Sequence, residues 1–214
     1  MSIILGSNNI TIDGYISEEP SYSHTAGMEK FYKFVFTSER YSGVNDVLNC
    51  IISERFLKEV EIKPYAYCVM DGSVRSRNID IGNERKCELY IFVSNIEKID
   101  TVTHTNNVEI QSGFVVKQSE FRRTPLGREV IDFVVAVNRP NKKADYIPCI
   151  AWGRNAKYLA RKDRIGQKVN LCGRFQSRDY VKRFNDGSEE NRTAYELSVS
   201  TLDIIKEVVA ENDN

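Results

Sequence analysis

Histidine is nearly absent from this 214-residue chain. His24 and His104 are the two copies, and neither stands at metal-ligand spacing from a cysteine. The five cysteines, at 50, 68, 87, 149 and 172, form no CxxC pair and are odd in number. A zinc site and a disulfide framework are therefore both unsupported, and small buried thiols in a reducing cytoplasm are expected. No nucleophile motif or phosphate-cradling glycine loop occurs, so no catalytic residue, metal or cofactor is assigned and the chain reads as a non-enzyme. No apolar run approaches the roughly 18 residues of a membrane span. The stretch Met1 to Asn9 lacks the basic start and long apolar core of a secretion signal.

Charge is present in quantity but distributed unevenly. The 30 basic and 30 acidic side chains cancel overall. Residues 1–105 hold 11 basic against 15 acidic, a net of −4, and residues 106–214 hold 19 against 15, a net of +4. Glu207, Glu211 and Asp213 lie in the last eight residues; without them the second half stands at +7. One basic half beside one acidic half points to a polyanion that meets only the second.

The chain also repeats itself. Asn8-Asn9-Ile10-Thr11-Ile12 resembles Asn106-Asn107-Val108-Glu109-Ile110. At an offset of 99, Phe34, Val35, Arg40, Cys50, Ile51 and Arg55 match Phe133, Val134, Arg139, Cys149, Ile150 and Arg154. Six identities in that 22-residue window exceed the roughly one expected from average composition. Gly72 and Ser76-Arg77 then match Gly173 and Ser177-Arg178 at an offset of 101. Three segments follow: a unit over 1–105, a second over 106–206 and a short acidic tail over 207–214.

Each unit is mostly β. In the second, strands are expected near 107–117, 128–138, 145–152, 167–178 and 193–204, rich in Val, Ile, Phe and Tyr. Asn185-Asp186-Gly187 marks a tight turn. One helical segment, Asn155 to Arg161, precedes the stop at Gly166; its counterpart is Glu54 to Val60, ahead of Pro64. The order β-β-β-α-β-β predicts an all-β chain of two tandem five-stranded OB-fold barrels, each with one short helix between strands 3 and 4.

Strand parity separates core from surface. In Tyr146 to Trp152, Ile147, Cys149 and Ala151 share the interior face, and Tyr146, Pro148, Ile150 and Trp152 share the outer one. The two outer aromatics stand about 20 Å apart at roughly 3.3 Å per residue. In the next strand Val169, Leu171, Gly173 and Phe175 read as interior, and Arg174, Arg178 and Tyr180 as outward. Cations surround this face: Arg122, Arg123, Arg128, Arg139, Lys142, Lys143, Lys182 and Arg183. Single-stranded nucleic acid calls for that mixture, because bases stack on flat rings whatever their identity while cations follow the phosphates. A lone tryptophan also serves as a core anchor, and paired loop cations are also plain solvated charge.

The second unit resembles the bacterial single-stranded DNA-binding protein family. The resemblance rests on Gly113-Phe114-Val115, on Ala136-Val137-Asn138-Arg139, on Trp152-Gly153-Arg154-Asn155-Ala156, and on Gly166 through Val169 to Gly173-Arg174-Phe175. It implies an OB fold, sequence-tolerant binding of single-stranded DNA in replication, recombination and repair, and stacking by Tyr146, Trp152 and Tyr180. Arg154 falls within the matched pieces. It also implies four OB domains in all, hence a homodimer, and a cytoplasmic, nucleoid-associated place. The ending Ala210 to Asn214 lacks the aromatic-tipped peptide by which such proteins recruit replication and repair partners. At the three stacking positions the first unit carries Val47, Ser53 and Ile79. That unit is expected to keep the fold, lose most of the binding and serve assembly. The alternative function is an accessory primosome-type or adaptor protein that uses the barrels mainly for protein contacts.

Overall fold

The computed structural model describes residues 7–60, 64–82, 84–161, 164–184 and 186–205. The expected acidic tail and Asn185 lie outside these residues.

The strands are β1 (Ser7–Ile16), β2 (Ser21–Ala26), β3 (Glu29–Glu39), β4 (Asn45–Ser53), β5 (Tyr67–Ile81) and β6 (Glu84–Lys98), with α1 (Glu54–Val60) after β4. The pattern repeats as β7 (Asn106–Gln118), β8 (Arg122–Arg123), β9 (Glu129–Asn138), β10 (Ala144–Trp152), α2 (Gly153–Ala160), β11 (Lys168–Arg183) and β12 (Glu189–Ile205). β2 and β8 are short additions beyond the five strands expected per unit. The hairpin of β11 and β12 runs five residues beyond the expected end at 178, through the rung Arg183↔Glu189.

In the first unit the order β3-β4-β6-β5-β1 closes through a β1–β3 pairing at Tyr15↔Thr37. In the second, β9-β10-β12-β11-β7 closes through β7–β9 at Phe114↔Ala136. The parallel contacts also correspond, Cys50↔Ile91 and Cys149↔Leu197. Two five-stranded OB barrels of one topology result. Each carries a register shift beside a glycine, Gly72 and Gly173. A Cβ there would sit 2.4 Å from the Phe92 carbonyl oxygen and 2.3 Å from that of Ser198. The close approach of the two backbones at each bulge requires the missing side chain.

Interior parity holds. Ile147, Cys149, Ala151, Val169, Leu171 and Phe175 are buried in the core, and α2 closes the second barrel with Ala156 and Leu159. Ile150 corrects the outward reading. It faces away from the core yet is 5% exposed, flanked by its ladder neighbours Asp132 and Ser198.

The barrels are joined by an antiparallel pairing of β1 with β7, from Ser7↔Gln111 to Ile12↔Asn106, centred on Ile10↔Val108. Because Asn8 and Ile12 correspond to Asn106 and Ile110, the rungs are related by a local two-fold. The same symmetry sets two buried amides. Asn8 donates to the Val74 carbonyl (2.5 Å) and accepts from the Val74 N–H (3.2 Å). Asn106 does the same for Phe175, at 2.8 and 3.0 Å. Each side chain continues the ladder to the neighbouring strand beyond its last backbone rung.

Two carboxylates complete the join. Asp145, fully buried, accepts from the Ser76 N–H (2.7 Å) and Arg75 (2.8 Å) of the first barrel and from its own barrel's Arg139 (2.7 Å). Asp46 mirrors it, accepting from the Ser177 N–H (2.8 Å) and from Arg40 (2.9 Å). Arg139 and Arg40 also donate to the carbonyls of Ser76 and Ser177. The hydrogen bonds to these carboxylates raise both guanidiniums above their ordinary pKa.

Asp145→Ala strands two guanidiniums and a buried amide, and should cost about 3–5 kcal/mol in urea unfolding. Asp46→Ala should cost a similar amount. Asn106→Leu leaves the Phe175 N–H and carbonyl without partners and should cost about 2 kcal/mol or more.

Candidate nucleic-acid interface

The outer face of the second barrel is made by β9, β10, β12 and β11. The rung Ile150, Ser198, Arg174 runs directly across it. Trp152 lies two residues to one side, half-buried at the end of β10 opposite Val130, where the chain turns into α2. Tyr180 lies six residues to the other side on β11, 39% exposed, with the Arg178 guanidinium 5.7 Å from its ring centre. Along the strand direction that is roughly 26 Å from one ring to the other. Tyr146 is 51% exposed at the junction with the first barrel, where its N–H donates to the Ser76 hydroxyl oxygen (2.8 Å). None of the three rings belongs to the core.

The cations differ in what they already contact. Arg139 is turned onto Asp145 and Ser76, so its charge serves the domain junction rather than an open surface. Arg174 is half-buried with its Nη2 3.7 Å from the Asp46 carboxylate, and among the described residues neither its Nε nor its Nη2 makes a hydrogen bond. Arg122 pairs with Asp132, Arg123 with Glu129 (3.4 Å), Arg178 with Glu196 (3.8 Å) and Arg183 with Glu189 (2.8 Å). The Glu129 carboxylate also accepts from Lys157, which holds its pKa below the ordinary carboxylate value. Lys182 stands over the Phe184 ring at 4.7 Å. Arg128, Lys142 and Lys143 are exposed at hairpin ends, and Arg154 is exposed in the first turn of α2.

Two aromatics escaped the sequence reading. Phe121, 39% exposed, precedes Arg122-Arg123, and Phe184 follows Lys182-Arg183 and is flanked by cations. A ring beside a basic pair was the available signal for both. Three of the five thiols, Cys50, Cys68 and Cys149, are buried. Burial pushes Cys68 up to about 12 and raises Cys50 and Cys149 as well. Among the described residues no group of three or more His, Cys, Asp or Glu is placed to hold a metal ion.

The single-strand binding protein family model matches residues 105–205. A single-stranded DNA-binding protein of Oceanobacillus iheyensis is 33% identical over 93 residues, covering 41% of this chain and 54% of that protein. Single-stranded DNA-binding protein 3 of Streptococcus agalactiae is 34% identical over 113 residues, covering 50% of this chain and 70% of that protein. This chain thus spans from about half to seven-tenths of the length of these curated relatives. The fold of the whole chain is shared with the wild-type single-stranded DNA binding protein from Thermus aquaticus, with a TM-score of 0.76 at 16% identity over 98% of both chains. With its second half matched by the family model, and with a relative 34% identical of which it covers 70%, the chain belongs to the single-strand binding protein family.

Proposed function

We propose that the protein binds single-stranded DNA without catalysis and with little sequence preference, and that the outer face of the second barrel carries the binding. The observation that supports this most is the set of Tyr146, Trp152 and Tyr180. All three are aromatic, all three are on the outer side, and none packs the core. Bases stack on such rings for about 1–3 kcal/mol each. Arg174 adds a half-buried guanidinium on the same face, ion-paired with Asp46. Arg128, Lys142, Lys143, Arg154, Arg178 and Lys182 supply cations for the phosphates. The first barrel, over 1–105, acts as the pseudo-symmetric partner that fixes this face. Two chains would bring four barrels together as a cytoplasmic homodimer serving replication, recombination and repair.

Titration with oligothymidine should quench Trp152, the one tryptophan, and the affinity should fall as salt rises. Trp152→Ala should weaken binding by about 1–3 kcal/mol. An unchanged affinity in the folded variant removes the stacking role. The double change Lys142→Ala and Lys143→Ala should lower the slope of log K against log salt by about 0.7 for each phosphate no longer neutralised. An unaltered slope would return both lysines to plain solvated charge.

A further inference from the structure

The first barrel has lost its aromatics at Val47, Ser53 and Ile79, yet its outer face is not bare. The bulges at Gly72 and Gly173 align the last two strands of the barrels. Gly72 pairs with Val93 as Gly173 pairs with Val199, so Tyr90 and Phe92 stand where the second barrel has Glu196 and Ser198. On the other edge of the face, the rung Trp152↔Val130 becomes Ser53↔Phe31. The ring has moved to the neighbouring strand at the same level. Phe31 is 8% exposed because Phe92 packs against it at 5.7 Å and His24 stacks on it at 5.0 Å. Tyr90 and Phe92 are half-buried and line a cleft shared with the second barrel.

The cleft, of about 330 Å³, is walled by Arg75, Tyr90 and Phe92 from the first barrel and by Arg139, Pro140 and Asn141 from the second. The volume falls within the range of sites that hold small organic groups. The hydroxyl of Ser76, next to Arg75 in the chain, accepts from the N–H of Tyr146, the boundary ring of the second face. Arg77 lies 5.3 Å from the Tyr90 ring centre and pairs with Glu88 (2.5 Å). Rings are thus plentiful, and the guanidiniums beside them, Arg75, Arg77 and Arg139, are each paired with a carboxylate.

We propose that a strand of DNA leaving Tyr146 crosses the domain junction and stacks on Tyr90 and Phe92, a second binding platform rebuilt at new positions on the first barrel. It rests on the reading of the second barrel given above. The platform extends the length of strand engaged and adds little to the salt dependence.

The full chain can be titrated with oligothymidine of about 10 nucleotides, enough for one barrel, and of about 30, enough for both. In the double variant Tyr90→Ser, Phe92→Ser, binding of the short strand and its quenching of Trp152 should stay within about twofold. Affinity for the long strand should fall about tenfold or more, as expected when one to two bases no longer stack. Phe92→Tyr, which keeps the ring, should retain the long-strand affinity. Unchanged long-strand affinity in the double variant overturns the proposal, and so does an equal loss at both lengths. A change in the light-scattering mass with long-strand binding intact also overturns it, and assigns the rings to contact between copies. If the short strand fails to quench Trp152 in the unaltered protein, the reading of the second barrel fails first and takes this one with it.

Discussion

Two buried carboxylates decide how the barrels sit. A charge with no solvent access must be paired and hydrogen-bonded, or it costs several kcal/mol. Asp145 meets that demand only when Ser76 and Arg75 of the other barrel are in place, and Asp46 only when Ser177 is. The β1–β7 ladder sets the axis of the join, and these carboxylates remove the freedom to rotate about it. Apolar contact alone would tolerate sliding. A carboxylate tied to one backbone N–H and a two-pronged guanidinium does not. The positions of Tyr146 and Tyr90 across the junction follow from that constraint.

The join kept its symmetry while the outer faces diverged. Asn8 and Asn106, Asp46 and Asp145, Ser76 and Ser177, Arg40 and Arg139, and the two bulge glycines hold equivalent places. Each is held by a hydrogen bond, an ion pair or a close backbone approach at the join or the bulge. The outer positions carry no such obligation. They could exchange rings for Val47, Ser53 and Ile79, and gain rings at Phe31, Tyr90 and Phe92, without disturbing a core built on the opposite parity.

The barrels were legible because their signals are local. Alternation, turn residues and the two helical segments place β10 within one residue, at Ala144–Trp152, and α1 at Glu54–Val60 with no shift. The junction was not legible. Arg139 and Asp145 are six residues apart across a hairpin, and Ser76 completes them from about 70 residues away. Nothing in sequence spacing marks that meeting, so Arg139 read as one more surface cation. Tyr90 and Phe92 were hidden by the bulge. β6 buries Ile96, then Val93, Ile91 and Leu89, so its parity reverses at Ser94. A period-two reading started from Ile96 turns both rings inward.

The sequence shows how much charge there is, not how much of it is free. The second half nets +7 without its tail with all its acids counted, and Arg122, Arg123, Arg178 and Arg183 each face one of those carboxylates. A phosphate that takes one of these arginines must displace its partner, and the gain is the difference between two exposed ion pairs, each worth at most about 1 kcal/mol. Base stacking faces less competition, because the rings of Tyr146 and Tyr180 are exposed before any strand arrives, with Arg178 near the second. Affinity on this face should therefore come more from rings than from cations. The same imbalance makes a platform on the acidic barrel physically reasonable: a strand held chiefly by stacking is only weakly opposed by a domain of modest negative charge, most of it exposed and screened within about 8–10 Å at ordinary salt.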